Sequence, residues 1–289
     1  MRFVWFCASG DSFFLGASLT ILAVAVSTAR TDVKARIAVR VLLIVGLVLA
    51  LLAAIPLSPA YYGVLAVGVT ILTVLAGSRR LAAACRAAQV GVVVLSVLMI
   101  VLELRFEMSA KPPRGEPLYV IGDSVSAGIQ GPNERPWPRL LAENYGIEVI
   151  NLAEPGATAA SAYKQAERIG DGPGLVFLEI GGNDLFAPTP PAQFREDLTR
   201  LARHVTRPNR TVVMLELPIL PWDVQYGRIQ RQVARSLGVT LIPKRFFAGV
   251  LQQEGSTTDL AHLSALGHQR MAAAVARLLG LDHRKAERN

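Results

Sequence analysis

Four long apolar runs lie within the first 106 residues, at about 13–29, 37–58, 61–77 and 88–104, and they restrict what this part of the chain can become. About 20 apolar residues in a helix span the hydrocarbon core of a bilayer, and a helix satisfies every backbone N–H and C=O within one segment. Residues 1–106 are therefore expected to form an α-helical transmembrane region of three to four helices. The second and fourth runs are convincing, the third is short but uncharged, and Asp11 limits the first. A cleaved signal peptide is the rival reading of the first run, but MRFVWFCASGDSFF carries one basic residue and an acid where a signal's apolar region should begin.

The chain is 52% hydrophobic and 18% charged over 289 residues, and nearly all of the apolar excess belongs to these runs. From Lys111 onward the mixture of Gly, Pro and charge is that of a water-soluble domain. The expected organisation is a membrane anchor (1–106), a linker (107–116) through the proline-bearing SAKPPRGEP, a soluble domain (117–281) and a polar tail (282–289).

Basic residues set an orientation. Arg30, Lys34, Arg36 and Arg40 follow the first run against one acid, Asp32, and Arg79, Arg80 and Arg86 follow the third against none. Both segments are expected in the cytoplasm. The uncharged turn SPAYYG suits the outer face, with Tyr61 and Tyr62 at the interface. The fourth run then delivers the soluble domain to the extracytoplasmic side, whether or not the first run spans.

Several function classes fall away. The formal net charge of +8 suggests an anionic partner, but seven basic residues have the topological role just given and no basic cluster alternates with aromatics as nucleic-acid binding requires. The lipid bilayer, with anionic headgroups near the inner loops, is the expected partner, and nucleic acid is not. Oligomeric state is not legible. The two cysteines, Cys7 and Cys85, both belong to the anchor, so the soluble domain has no disulfide to support its core. No titratable residue occupies the centre of an apolar run, which argues for an anchor rather than a pump or proton relay.

In the soluble half, short aliphatic runs (LYVIG, EVINLA, LVFLEIG, TVVMLELP, VTLIP) alternate with helical patterns. Five strands separated by helices imply a parallel sheet covered on both faces, with reactive groups at the carboxyl ends of the strands. The first three strands run into GDS, EPGAT and GGND. Gly-Asp-Ser also occurs at Gly10, Asp11 and Ser12, but that copy has no strand before it and leads into an apolar run. Ser124, in contrast, follows a buried strand and opens a turn of small residues, so its hydroxyl can project beside outward-pointing N–H groups.

A serine hydroxyl needs a base to act as nucleophile. His204 sits among Arg200, Arg203 and Arg207 and reads as a solvated surface residue; His283 lies in the tail; His268 caps or packs at the start of the last helix. His262 follows Asp259 by three positions in STTDLAHLSALGH. In a helical turn that spacing lets the carboxylate hold one imidazole nitrogen and direct the other toward Ser124. Taken alone, Asp-x-x-His reads more simply as a capped turn. A metal site from Asp259, His262 and His268 lacks a second ligand cluster, so neither metal nor cofactor is expected.

The order of the blocks changes this balance. GDS, a Gly-bearing second loop, GGND and DLAH follow one another as in the SGNH (GDSL) hydrolase superfamily, which residues 116–280 resemble, especially its bacterial arylesterase, acyl thioesterase and lysophospholipase branch. The pattern differs from the G-x-S-x-G elbow of α/β-hydrolases, since Val125 and Ser126 follow Ser124. The resemblance implies a three-layer αβα, flavodoxin-like domain with a five-stranded parallel sheet. It implies Ser124 as nucleophile, His262 as general base and acid, Asp259 as its orienting partner, and an oxyanion hole from the N–H groups of Ser124 and Gly156 and the side-chain amide of Asn183. Ala157 stands where close relatives often have Asp, and Leu263 follows His262 where many have Pro.

The function so implied is a membrane-anchored serine esterase cleaving a lysophospholipid, another envelope lipid or an O-acetylated glycan through an acyl-enzyme. An acyltransferase using the same acyl-enzyme, and a non-catalytic envelope scaffold, are the alternatives. Acyl-CoA, a cytoplasmic metabolite, conflicts with the expected orientation. Trp137 is expected to pack, and Trp222 is a candidate for the wall of an acyl pocket.

Overall fold

The computed structural model describes residues 2–29, 32–75, 81–108, 117–129, 131, 134–187, 189–259 and 262–281. Arg30, Arg79, Arg80, most of the linker, His283 and the polar tail lie outside the described residues. The chain divides into two compact units, one made of Arg2–Met108 and Ile219–Val224, the other of the rest.

The first unit is helical: α1 (Arg2–Ala8), α2 (Asp11–Ala29), α3 (Val33–Leu52), α4 (Pro59–Leu75) and α5 (Ala82–Met108). Three of these, α2, α3 and α5, are long and apolar enough to cross a membrane, and α4 is a shorter apolar helix. Phe13, Leu43, Ile55, Leu65 and Met99 form the interior of this unit. Val64, Val67, Val90 and Val94 point outward, an arrangement a soluble bundle avoids and lipid tolerates. Small residues let α2 and α3 approach closely: a Cβ at Gly16 would lie 2.4 Å from the Gly46 carbonyl oxygen. Ser12, of the early Gly-Asp-Ser copy, is buried on α2.

The second unit carries five short, largely apolar strands: β1 (Leu118–Gly122), β2 (Val149–Asn151), β3 (Gly174–Glu179), β4 (Arg210–Leu215) and β5 (Thr240–Ile242). All neighbouring pairs are parallel, in the order β2-β1-β3-β4-β5. This is the flavodoxin-like order, whose switch point lies between β1 and β3. Strand β3 is buried at all six positions, as expected for a strand covered on both faces. Between the strands run α6 (Ser124–Ala127), α7 (Trp137–Tyr145), α8 (Ala162–Ala166), α9 (Gly182–Phe186), α10 (Pro191–Val205) and α11 (Val224–Leu237), followed by α12 (Lys244–Leu251) and α13 (Ala265–Leu279). Trp137 is fully buried, its ring edge-on to Phe177 with centroids 5.4 Å apart, and so has the packing role expected of it.

Two buried glutamines finish strands that their neighbours are too short to pair. Beyond the β1–β2 register the Gln165 amide accepts from Gly122 N–H and donates to Gly122 C=O, both at 3.0 Å. Gln230 does the same at the end of β4, accepting from Leu217 N–H at 3.0 Å and donating to Leu215 C=O at 3.1 Å. Each fixes the backbone where a strand opens into a loop at the carboxyl edge.

Candidate active site

Ser124 is the first residue of α6, directly after the carboxyl end of β1, and is half-buried. Asp123 caps this short helix, its Oδ1 accepting Val125 N–H at 3.0 Å. Gly156 sits in a turn with φ of +77°, a conformation that glycine adopts without strain, and a Cβ there would meet nothing within 4 Å. The backbone N–H groups of Ser124 and Gly156 have no acceptor among the described residues. Donors of this kind at a strand edge can stabilise a developing oxyanion.

Asn183, on α9 after β3, joins the two loops. Its Nδ2 donates to Asp123 Oδ2 at 3.0 Å and to Ala157 C=O at 3.1 Å. The buried Asp184 accepts Ala159 N–H at 2.8 Å. These are not the local turn caps that the short GGND stretch could have formed; both side chains reach back some 25 residues and hold the Gly156 loop. Both Asn183 amide hydrogens are engaged, so donation to an oxyanion requires one acceptor, most readily the Ala157 carbonyl, to share its hydrogen. Burial raises the Asp184 carboxyl pKa above its ordinary value.

Asp259 and His262 do form a pair, although not on the helical turn their spacing suggested. They sit in a bend closed by an antiparallel bridge between Thr257 and Leu263 and by Thr258 N–H donating to His262 C=O at 3.0 Å. Leu260 and Ala261 lie outside the described residues. The Asp259 carboxylate accepts His262 N–H at 2.8 Å on Oδ1 and His262 Nδ1–H at 2.7 Å on Oδ2. One carboxylate thus fixes the backbone and the ring, placing the proton on Nδ1 and leaving Nε2 as the basic nitrogen of the neutral imidazole. When protonated, His262 lowers the Asp123 pKa.

Beneath Ser124 lies a carboxyl pair to which the sequence reading gave no role. Glu179, the last residue of β3, is buried; its Oε2 accepts Ser126 Oγ–H at 2.9 Å and faces Asp123 N–H at 3.4 Å. Trp137 Nε1–H in turn donates to Ser126 Oγ at 3.1 Å. Gly122 leaves the room for this: a Cβ there would stand 3.0 Å from Glu179 Oε2 and 2.9 Å from Ser126 Oγ. Burial, and next the Asp123 charge, push the Glu179 carboxyl well above its ordinary range. Burial also raises Asp123 to about 6, against the opposing effects of Val125 N–H, a hydrogen bond with Glu179 and the His262 charge. Two neighbouring buried carboxyls resist carrying two negative charges, so the pair favours a protonated form. Glu216, the equally buried acid just after β4, is neutralised differently, by Arg231, whose Nε lies 2.6 Å away. The sequence signal for both was an acid inside an otherwise apolar strand run, LVFLEIG and VVMLELP.

His268 and His204 make contacts within the domain, and His283 lies outside the described residues. His268 is buried and its Nδ1 accepts Trp137 N–H at 3.2 Å, so Nε2 carries the proton toward Glu134 Oε1 at 2.9 Å. His204 is half-buried against Tyr163, Nδ1 lying 3.2 Å from the hydroxyl, rather than simply solvated. Trp222 is 71% exposed in a short 3-10 turn. Among the described residues no cluster of His, Cys, Asp and Glu could hold a metal.

The fold is a three-layer αβα domain with Ser124 at the end of β1, an Asp259–His262 pair and loop N–H groups free to donate. The family model for the GDSL-like lipase/acylhydrolase family matches residues 120–270, and the chain belongs to that family. It is 31% identical over 139 residues to an arylesterase of Vibrio mimicus, covering 46% of this chain and 68% of the relative. It is 26% identical over 161 residues to thioesterase 1/protease 1/lysophospholipase L1 of Escherichia coli strain K12, covering 52% and 74%. The crystal structure of TesA is 27% identical, with a TM-score of 0.49, covering 56% of this chain and 97% of its own. Ester hydrolysis by a serine hydrolase of this family is therefore the activity class of the chain.

Proposed function

We propose that the protein is a membrane-anchored esterase in which Ser124 is the nucleophile, His262 the general base and acid, and Asp259 the residue that orients it. Nε2 of His262 takes the Ser124 proton as Oγ bonds to the ester carbonyl carbon, and the oxyanion is held by the N–H groups of Ser124 and Gly156 and by Asn183. His262 returns the proton to the leaving alkoxide, the C–O bond breaks and an acyl-enzyme remains. Water, deprotonated by His262, then releases the acid. The observation that carries this reading is the double hydrogen bond from Asp259 to His262, which fixes the tautomer that leaves Nε2 basic.

The substrate class follows from location. Three helices long and apolar enough to cross a membrane, with basic Lys34, Arg36, Arg40 and Arg86 in the N-terminal parts of α3 and α5, support an extracytoplasmic catalytic domain tethered to the bilayer. A lysophospholipid or another envelope ester, including an O-acetylated glycan, lies within reach there, and the lysophospholipase name of the Escherichia coli relative favours the lipid. Ser124→Ala in the full chain should lower turnover of a short p-nitrophenyl ester by roughly 10⁴-fold or more and abolish labelling by a fluorophosphonate. Retained turnover would remove Ser124 from the mechanism. Lysophospholipid and acetylated-glycan levels in cells carrying that variant identify the natural ester by which one accumulates.

A further inference from the structure

The outer side of α10 carries a concentration of basic residues. Its inner face is apolar, with Phe194, Leu198, Leu201, Ala202 and Val205 buried. Its outer face, together with Tyr163 of α8, lines an open groove of about 640 Å³ whose charged residues are Arg195, Arg200, Arg203, Arg207 and a single acid, Glu196. His204 completes the lining beside Tyr163. The sequence already places Arg200, Arg203 and Arg207 around His204; the fold adds Arg195 and Tyr163 to the same wall.

Part of the wall is already fixed. Arg200 lies over the Tyr163 ring, 5.1 Å from its centroid, and pairs with Asp197 at 3.2 Å. Arg195 donates to Gln232 Oε1 at 2.6 Å. The Tyr163 and His204 rings stand 4.8 Å apart. Arg203 and Arg207 are exposed and have no carboxylate partner among the described residues.

This arrangement works against the stability of the helix. Arg200 and Arg203 lie three apart on α10, a spacing at which like charges repel, and Arg207 follows just beyond the helix end at Val205. The helix dipole favours cations in the last turn, which accounts for Arg203. A bound anion between the guanidinium groups would relieve the repulsion among them. Guanidinium forks match the tetrahedral oxygens of phosphate, to which they donate two hydrogen bonds at once.

We propose that the α8–α10 groove binds a phosphate group, with Arg203 and Arg207 as its principal donors and Arg200, held on Tyr163, as its side wall. The group belongs either to a lipid headgroup or to a soluble phosphate. The site is separate from the ester-cleaving residues and does not depend on their assignment.

The test uses the full chain in a neutral detergent at constant ionic strength. Inorganic phosphate is titrated calorimetrically in one arm, and micelles doped with phosphatidylglycerol are compared with undoped micelles in the other. The proposal expects saturable binding in at least one arm, weakened tenfold or more by Arg203→Gln with Arg207→Gln, with turnover of a short p-nitrophenyl ester unchanged. Binding of inorganic phosphate, with or without the lipid, assigns a phosphate site open to soluble ligands, whereas binding confined to doped micelles assigns a headgroup. Arg235→Gln, on the exposed side of α11, serves as the control for loss of positive charge elsewhere and should leave binding intact. No saturable binding in either arm, or equal binding by the double variant, overturns the proposal.

Discussion

At the scale of single residues, the site depends on how buried acids are neutralised. Glu216 has a guanidinium, whereas Asp123 and Glu179 have each other and a proton. Asp123 titrates at its ordinary 3.8 in the unfolded chain and at about 6 in the folded one. Between these values the native state binds a proton that the unfolded state has released, so the Asp123 contribution to stability falls as pH rises through that window, and the raised Glu179 extends the fall to higher pH. The full effect is about 3 kcal/mol. Thermal unfolding of the hydrolase unit in the full chain, followed from about pH 4 to about pH 7, should show a smaller decline for Asp123→Asn than for the native protein. Equal declines would mean that Asp123 is not the titrating group. The carboxylate that is costly to bury at Asp123 also orients the Asn183 amide, so this arrangement gives up stability near neutral pH.

At the scale of elements, α13 is pinned to the start of α7 by one side chain. Trp137 is the first helical residue of α7, and its N–H would have no intrahelical acceptor; His268 Nδ1 provides one from 131 residues downstream. His268→Ala leaves that buried N–H without the acceptor and should destabilise the domain by about 1–3 kcal/mol. His268→Asn, whose Oδ1 can take the place of Nδ1, should recover part of this loss in thermal unfolding. Equal losses for both variants would show that ring packing, not the hydrogen bond, holds the two helices. Burial lowers the His268 pKa, so this contact also weakens as pH falls below the ordinary imidazole range, opposite in sign to Asp123.

At the scale of the whole molecule, the proposed sidedness can be read directly. In a background with Cys7 and Cys85 replaced by Ala, a cysteine introduced at the exposed Gln252 should react with a membrane-impermeant maleimide in intact cells; reaction only after lysis would place the domain in the cytoplasm. The apolar runs, the strand-helix alternation and the order of the four blocks were legible in the sequence, because hydrophobic periodicity and turn-forming residues act over short stretches of chain. The helix α12, the bend that carries Asp259 and His262, and the arginine-lined groove were not. Each depends on which residues the fold places side by side. A glutamate in LVFLEIG reads as an anomaly in a strand until β3 lies against β1 and sets it against Asp123 and Ser126, 56 and 53 residues away. Local chemistry therefore specified the elements and the reactive residue types. Protonation states, donor directions and charge clusters were decided only when parallel pairing brought the strand ends to one edge, because burial and Coulomb interaction depend on distance in space rather than on separation along the chain.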